Sequence, residues 1–273
     1  MERDWKGTGS DMSNVKYCII ACLLAVQAAG SAVLAQTTIT NQITTDTYID
    51  SLNPTENFGL SGSDKVVINN VSPSVCRTLF DLQANLWSYS PSQIESAIVS
   101  FYVFSDNTGT YNVSLFPLTR AFGVGTWNGK GTPPAQANGA TWLTYDGTNS
   151  WTTAGGDFDS ANSVVGLKGT LGAGGNNNGR FFTFDITSLL ANPTTDTELQ
   201  DYGTMLAIDV GATEPPAGSQ DFASFTSADS TSSTIPYLPS VALTVVPEPS
   251  SLILVTVGLG AITCFRKKRS TRC

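Results

Sequence analysis

Asp157 and Asp159 stand one residue apart directly after Gly155-Gly156, and so offer two hard oxygen donors on a tight turn. Calcium takes about six to eight oxygens from carboxylates, amides and carbonyls, which makes this Asp-x-Asp the first candidate for a structural calcium. Asp46, Asp50 and Asn57 are further donors of the same kind. No Asp-x-Asp-x-Asp-Gly loop completes the pattern, so solvated turn carboxylates remain the alternative.

Trp127, Trp142, Tyr145 and Trp151 are the second candidate group, with Asn128, Asp146 and Asn149 beside them. A sugar ring stacks its apolar C–H face on a flat aromatic while neighbouring polar groups bond its hydroxyls. The alternative is that these rings pin long loops to a core, which large aromatics do well. Paired carboxyls about 5–10 Å apart would instead hydrolyse glycosides. The 18 acids between residues 36 and 246 single out no such pair, and Glu56, Glu95, Glu198 and Glu214 all sit at polar or turn-like positions.

The chain contains no histidine. Ser-His-Asp and Cys-His catalysis, His-ligated zinc and His-based pH switching are therefore excluded. Residues 36–246 hold 18 acidic and 6 basic side chains, a net charge of −12 against −8 for the whole chain. Such an acidic segment does not hold nucleic acid by neutralising phosphates. Cys18, Cys22, Cys264 and Cys273 lie in the two ends, leaving Cys76 without an intrachain partner. Stability then rests on a core, and Cys76 is expected as a buried, inert thiol.

The elements that must position these groups read as strands. Thr47–Ile49, Lys65–Ile68, Thr78–Leu82, Ile98–Phe104 and Tyr111–Phe116 are rich in β-branched and aromatic residues and bounded by turn formers, as are Arg180–Ile186, Met205–Val210, Phe222–Thr226 and Pro239–Val246. This pattern predicts an all-β fold, a jelly-roll-like antiparallel β-sandwich. Thr187 is expected to cap one helical turn. Gly123–Gly179 breaks the rhythm and reads as long excursions from the sandwich, with 172–179 as a flexible tip. Arg77, inside an apolar run, is expected to pair with an acid on another strand.

Four pieces in order resemble the DNRLRE domain family. They are Asp46-Thr47-Tyr48-Ile49 with Asn57-Phe58-Gly59, then Arg77-Thr78-Leu79-Phe80-Asp81-Leu82 with Ile94-Glu95-Ser96-Ala97. The third is Gly139–Trp142 with Trp151 and Gly155–Asp159, and the fourth is Phe225–Asp229 with Pro236–Pro239. Phe58 and Asp229 depart from the Tyr and Glu usual in the family. The resemblance implies a jelly-roll-like sandwich found in surface proteins and beside carbohydrate-active enzymes, some of whose relatives bind carbohydrate.

The two ends carry addresses. Lys16 precedes an apolar stretch Tyr17–Ala29 and a small-residue exit, Val33-Leu34-Ala35 before Gln36, which reads as a signal peptide over 1–35 cut between Ala35 and Gln36. Glu2, Asp4 and Asp11 cancel the early positive charges, so Met12 is the expected start. At the other end Pro247, Glu248 and Pro249 precede an apolar span, 251–265, and then Arg266, Lys267, Lys268 and Arg269. As a helix this span of about 15 residues rises about 22 Å, short for a hydrocarbon core of about 30 Å. The basic stop would stay cytoplasmic. The tail, 247–273, resembles the PEP-CTERM sorting signal of Gram-negative bacteria. That resemblance implies Sec export, a transient inner-membrane anchor, cleavage by an exosortase-type protease, and delivery to the cell surface or extracellular matrix.

Between the signals lies a single domain, 36–246. The expectation is a noncatalytic exported protein, adhesive or carbohydrate-binding, with polysaccharide or surface matrix as partner. A carboxylate-based glycoside-active enzyme and a ligand-free structural matrix component are the alternatives.

Overall fold

The computed structural model describes residues 36–69, 74–82, 84–106, 112–129, 138–168, 180–208, 220–231 and 237–246. The leader with Ala35, the tail with Pro247, Glu248, Pro249, Arg266, Lys267, Lys268 and Arg269, and the glycine-rich tip 172–179 lie outside the described residues. Gln36 is exposed at the start of the described chain, and residues 38–245 form one compact unit.

Among the described residues twelve strands follow in chain order. They are β1 (Thr37–Gln42), β2 (Asp46–Asp50), β3 (Ser63–Asn69), β4 (Ser74–Phe80), β5 (Ile94–Asp106) and β6 (Val113–Pro117), then β7 (Val164–Val165), β8 (Leu167–Lys168), β9 (Arg180–Asp185), β10 (Thr204–Ile208), β11 (Gln220–Thr226) and β12 (Ser240–Val245). Two helices, α1 (Thr187–Ala191) and α2 (Pro193–Tyr202), stand between β9 and β10. Among the described residues the ladders joining strands β2 through β12 are antiparallel. The all-β expectation holds, and the strands join in one curled path of pairings.

Two long strands make the curl by changing partners. β5 pairs β12 along Ile94–Ser100 and β11 along Val103–Asp106, while β9 takes its other edge. β4 pairs β3 through Ser74–Cys76 and β10 through Thr78–Phe80, with β2 on its opposite edge. The path then runs from β10 to β6 and β7, and the chain crosses Gly166 into β8, which pairs β9 and so returns to β5. A Cβ on Gly166 would come 2.6 Å from the Phe184 ring, so only glycine fits where this crossing closes the circuit.

Alternation fixes which side chains face the interior. Ala97, Val99, Phe101 and Val103 of β5 are fully buried and meet Phe80, Phe182, Phe184, Phe225, Leu115 and Leu206 in the main core. Phe80 and Phe101 contact edge-on at 4.9 Å and 75°. Each such buried side chain contributes about 1.5–3 kcal/mol over an exposed one. Leu86, Leu189, Leu190 and Leu199 join the same cluster from the helical segments. The neighbours Leu79, Met205 and Phe116 point the other way and form a second cluster with Ile49, Leu118, Ala140 and Trp151. The excursion after β6 therefore covers the outer face of β4, β10 and β6, and β6 and β10 are buried at every position.

Several boundaries differ from expectation. The strand placed at Thr78–Leu82 starts at Ser74 and stops at Phe80. Thr187 is the first residue of α1, not its cap: Asp185 accepts hydrogen bonds from the Thr187 amide at 3.0 Å and hydroxyl at 2.5 Å. The Thr187 hydroxyl in turn accepts from the Ala97 amide at 2.9 Å. α2 was not expected. Asn192 caps it through the Thr194 amide at 3.0 Å, and Pro193 opens its first turn. Among the described residues no helix is long and apolar enough to cross a membrane, and the span 251–265 is not among them.

Candidate functional site

The four aromatics of the first reading fall into two packing groups. Trp142, Tyr145 and Trp151 belong to the cluster over β4, β6 and β10, whereas Trp127 packs with Tyr48, Phe58, Val67 and Cys76. Trp151 is 5% exposed, and its Nε1 donates to the Thr141 carbonyl at 2.9 Å. Tyr145 meets its edge at 5.8 Å and carries the Arg120 guanidinium over its own face at 4.9 Å. Trp127 lies 5.4 Å from Phe58, which stacks on Tyr48 at 4.2 Å.

Among the described residues Arg77 meets no acid. It lies between the Trp142 and Phe158 rings, 5.1 and 5.3 Å from their centres, and its Nη1 donates to the Gly155 carbonyl at 2.6 Å. Its Nε has no hydrogen-bond partner, and burial pushes its pKa down to about 10. The excursion supplies rings and a carbonyl where a cross-strand carboxylate was expected, so Arg77 clamps the loop to β4. Cys76 is 6% exposed, and burial pushes its thiol pKa up, as fits an inert core thiol.

Asp157 and Asp159 each close a turn of their own. Asp157 accepts from the Thr152 and Thr153 amides and from Arg120 Nε, all at 3.0 Å. Partial burial pulls its pKa up, but these donors more than offset that and hold it below the usual carboxylate value. Asp159 accepts from the Ala161 amide at 2.9 Å and the Asn162 side chain at 2.6 Å. Among the described residues no three of His, Cys, Asp or Glu gather as metal ligands. Asp146 likewise caps its turn, accepting from the Asn149 amide at 2.6 Å and the Thr148 amide at 2.8 Å.

Two features escaped the sequence reading. The first is a buried acid pair. Asp46 and Asp64 are each 1% exposed. Asp46 accepts from Ser227 Oγ at 3.0 Å and the Ala228 amide at 2.6 Å. Neither Asp64 oxygen receives a conventional donor, and the polar group beside it is the Asp46 carboxyl. Burial first, then the neighbouring Asp46 and Asp229 charges, push the Asp64 pKa well above the usual value. A neutral Asp64 hydroxyl donating to ionised Asp46 satisfies both groups. The signal was available, because Asp64 shares a strand face with the apolar Val66.

The second is a cleft of about 400 Å³ where the end of β4 meets the end of α2, lined by Asp81, Trp87, Phe122, Gln200, Asp201 and Tyr202. Burial raises the Asp81 pKa to about 6. A shallower cleft of about 360 Å³ lies beside Arg120 and Asp157, floored by Phe158. The first cleft draws on four separated segments, so no local motif announces it.

The tail supplies the address. Residues 245–269 match the PEP-CTERM protein-sorting motif. The motif marks an exported protein that an exosortase, a membrane protease-like enzyme, processes after a transient membrane anchorage and releases to the cell surface. Its first residue, Val245, is the last of β12. No curated protein matches the chain.

Proposed function

We propose that the released protein is a noncatalytic surface or matrix module of the DNRLRE kind that adheres by binding carbohydrate. Export through the Sec machinery fits the leader over 1–35, and a surface destination makes polysaccharide the partner at hand. The observation that carries the binding reading is the open cleft in which Trp87, Phe122 and Tyr202 stand beside Asp81, Gln200 and Asp201. Apolar ring faces with convergent polar groups are what a small-ligand cleft needs, and its volume falls in the usual range of about 300–1,000 Å³. Trp142, Tyr145 and Trp151, whose ring contacts are largely taken up by the protein, support that surface more than they offer one. Asp46 and Asp64 are shut away from solvent and so are not themselves a hydrolytic pair.

A glycan array and a reducing-sugar release assay on residues 36–246 test this. Binding without release is the expected result. Release identifies a glycoside-active enzyme, and silence in both assays identifies a ligand-free structural component.

A further inference from the structure

We infer that the cleft between the end of β4 and the C-terminus of α2 takes a saccharide bearing a free amine. This rests on the carbohydrate-binding reading above and adds the charge class of the ligand.

Three sources of negative potential converge there. Asp81 and Asp201 both line the cleft, and no basic side chain does so among the described residues. The cleft also receives the C-terminal end of α2, which has no basic residue in its last turn. The carbonyls of a helix C-terminus act as roughly half a negative charge and ordinarily attract Lys or Arg, yet here the terminus carries Asp201. Asp81 Oδ1 is wedged against Gly203, where a Cβ would come 2.5 Å from it and 3.3 Å from the Phe122 ring. Gly203 has φ +84°, which permits this approach. Desolvation is the cause of the raised Asp81 pKa, with no donor or cation opposing it. A cationic ligand supplies the missing compensation, whereas an anionic sugar such as a uronate or sulfate ester is repelled.

The rings narrow the choice among cations. Trp87, Phe122 and Tyr202 are each half-buried and line the cleft. A pyranose presents a broad C–H face to such rings, and its ammonium gains further from the aromatic quadrupoles. Gln200 and Asp201 stand exposed at the rim, where they meet ring hydroxyls. A lysine stem has a point charge but no comparable face.

Calorimetry on the processed protein with glucosamine tetramer, its fully N-acetylated counterpart, an alginate tetramer and a tetralysine peptide decides the matter. The glucosamine tetramer is expected to bind at least about tenfold more tightly than the other three, since a charge-assisted hydrogen bond is worth about that factor. Asp81→Asn and Trp87→Ala are each expected to lower that affinity about tenfold or more, with Trp87→Phe retaining most of it and near-UV circular dichroism checking the fold. Affinity is expected to fall at lower pH as Asp81 takes up its proton and at higher pH as the sugar amine loses its own. Equal binding of the N-acetylated tetramer, equal binding of tetralysine, or no effect of Asp81→Asn overturns the inference. Binding of neutral or anionic glycans insensitive to both variants leaves the carbohydrate-binding function standing and removes this assignment. Absence of binding to every glycan removes both.

Discussion

Asp64→Asn should make the protein more stable than the native chain at neutral pH, by a margin that grows with pH. In the folded protein Asp64 is 1% exposed and its pKa stands well above the usual carboxylate value, chiefly through burial. A raised folded pKa means that the native state holds a proton which the unfolded chain releases. The stabilisation is complete below the unfolded pKa, near 4, and is lost as pH rises toward the folded pKa. The cost is about 1.4 kcal/mol for each pH unit through which folded Asp64 keeps its proton. Asparagine is close in shape, is neutral at every pH, and donates an N–H to Asp46 where the acid donates its hydroxyl. The difference in unfolding free energy, variant minus native, should therefore rise with pH at that rate across the range in which folded Asp64 keeps its proton. Urea denaturation at pH 5, 6, 7 and 8 measures it. Asp81 and Asp229 also have raised pKa values, but they titrate in both proteins and largely cancel in the difference. Parallel stability curves for the two proteins would refute the buried proton.

Trp151→Phe removes the indole bond to the buried Thr141 carbonyl and should cost about 1–3 kcal/mol by denaturation while leaving the β signal of circular dichroism intact. Arg77→Met, which keeps apolar bulk between Trp142 and Phe158, should cost less than Arg77→Ala, because no ion pair is lost; equal costs would contradict the clamp. Cys76 should react with a thiol reagent only as the protein unfolds, so labelling in native buffer at pH 8 would show that it is not buried as described. Calcium added to metal-free protein should leave the melting temperature unchanged, because Asp157 and Asp159 already spend their oxygens on loop amides and Arg120.

Much of the sheet was legible because its pattern is local. Ala97, Val99, Phe101 and Val103 are buried and alternate with half-buried neighbours, and the β-branched and aromatic enrichment of the run marks β5 in the sequence. β6 and β10 are buried on both faces, and the runs Val113-Ser114-Leu115-Phe116 and Met205-Leu206-Ala207-Ile208 still read as strands. β7 and β8 are two residues each, too short for any period, yet they close the circuit of pairings. α2 was missed because only Thr195 and Leu199 of its ten residues are buried, leaving little amphipathic signal, although Asn192-Pro193 is a readable start. The cleft was invisible for a different reason. Asp81, Trp87, Phe122 and Tyr202 become neighbours only when the end of β4, the turn after it, the excursion and α2 are folded together. The tail was legible throughout, because an address is read as linear sequence and needs no fold.

The central claim is that a sorting tail delivers this curled β domain to the cell surface. Mass spectrometry of the surface fraction from hosts with and without an exosortase tests it most directly. The account predicts a mature chain beginning at Gln36 and ending near Pro247 in the first host, and a membrane-held chain retaining Arg266–Arg269 in the second. An identical tail-bearing chain in both hosts would contradict it.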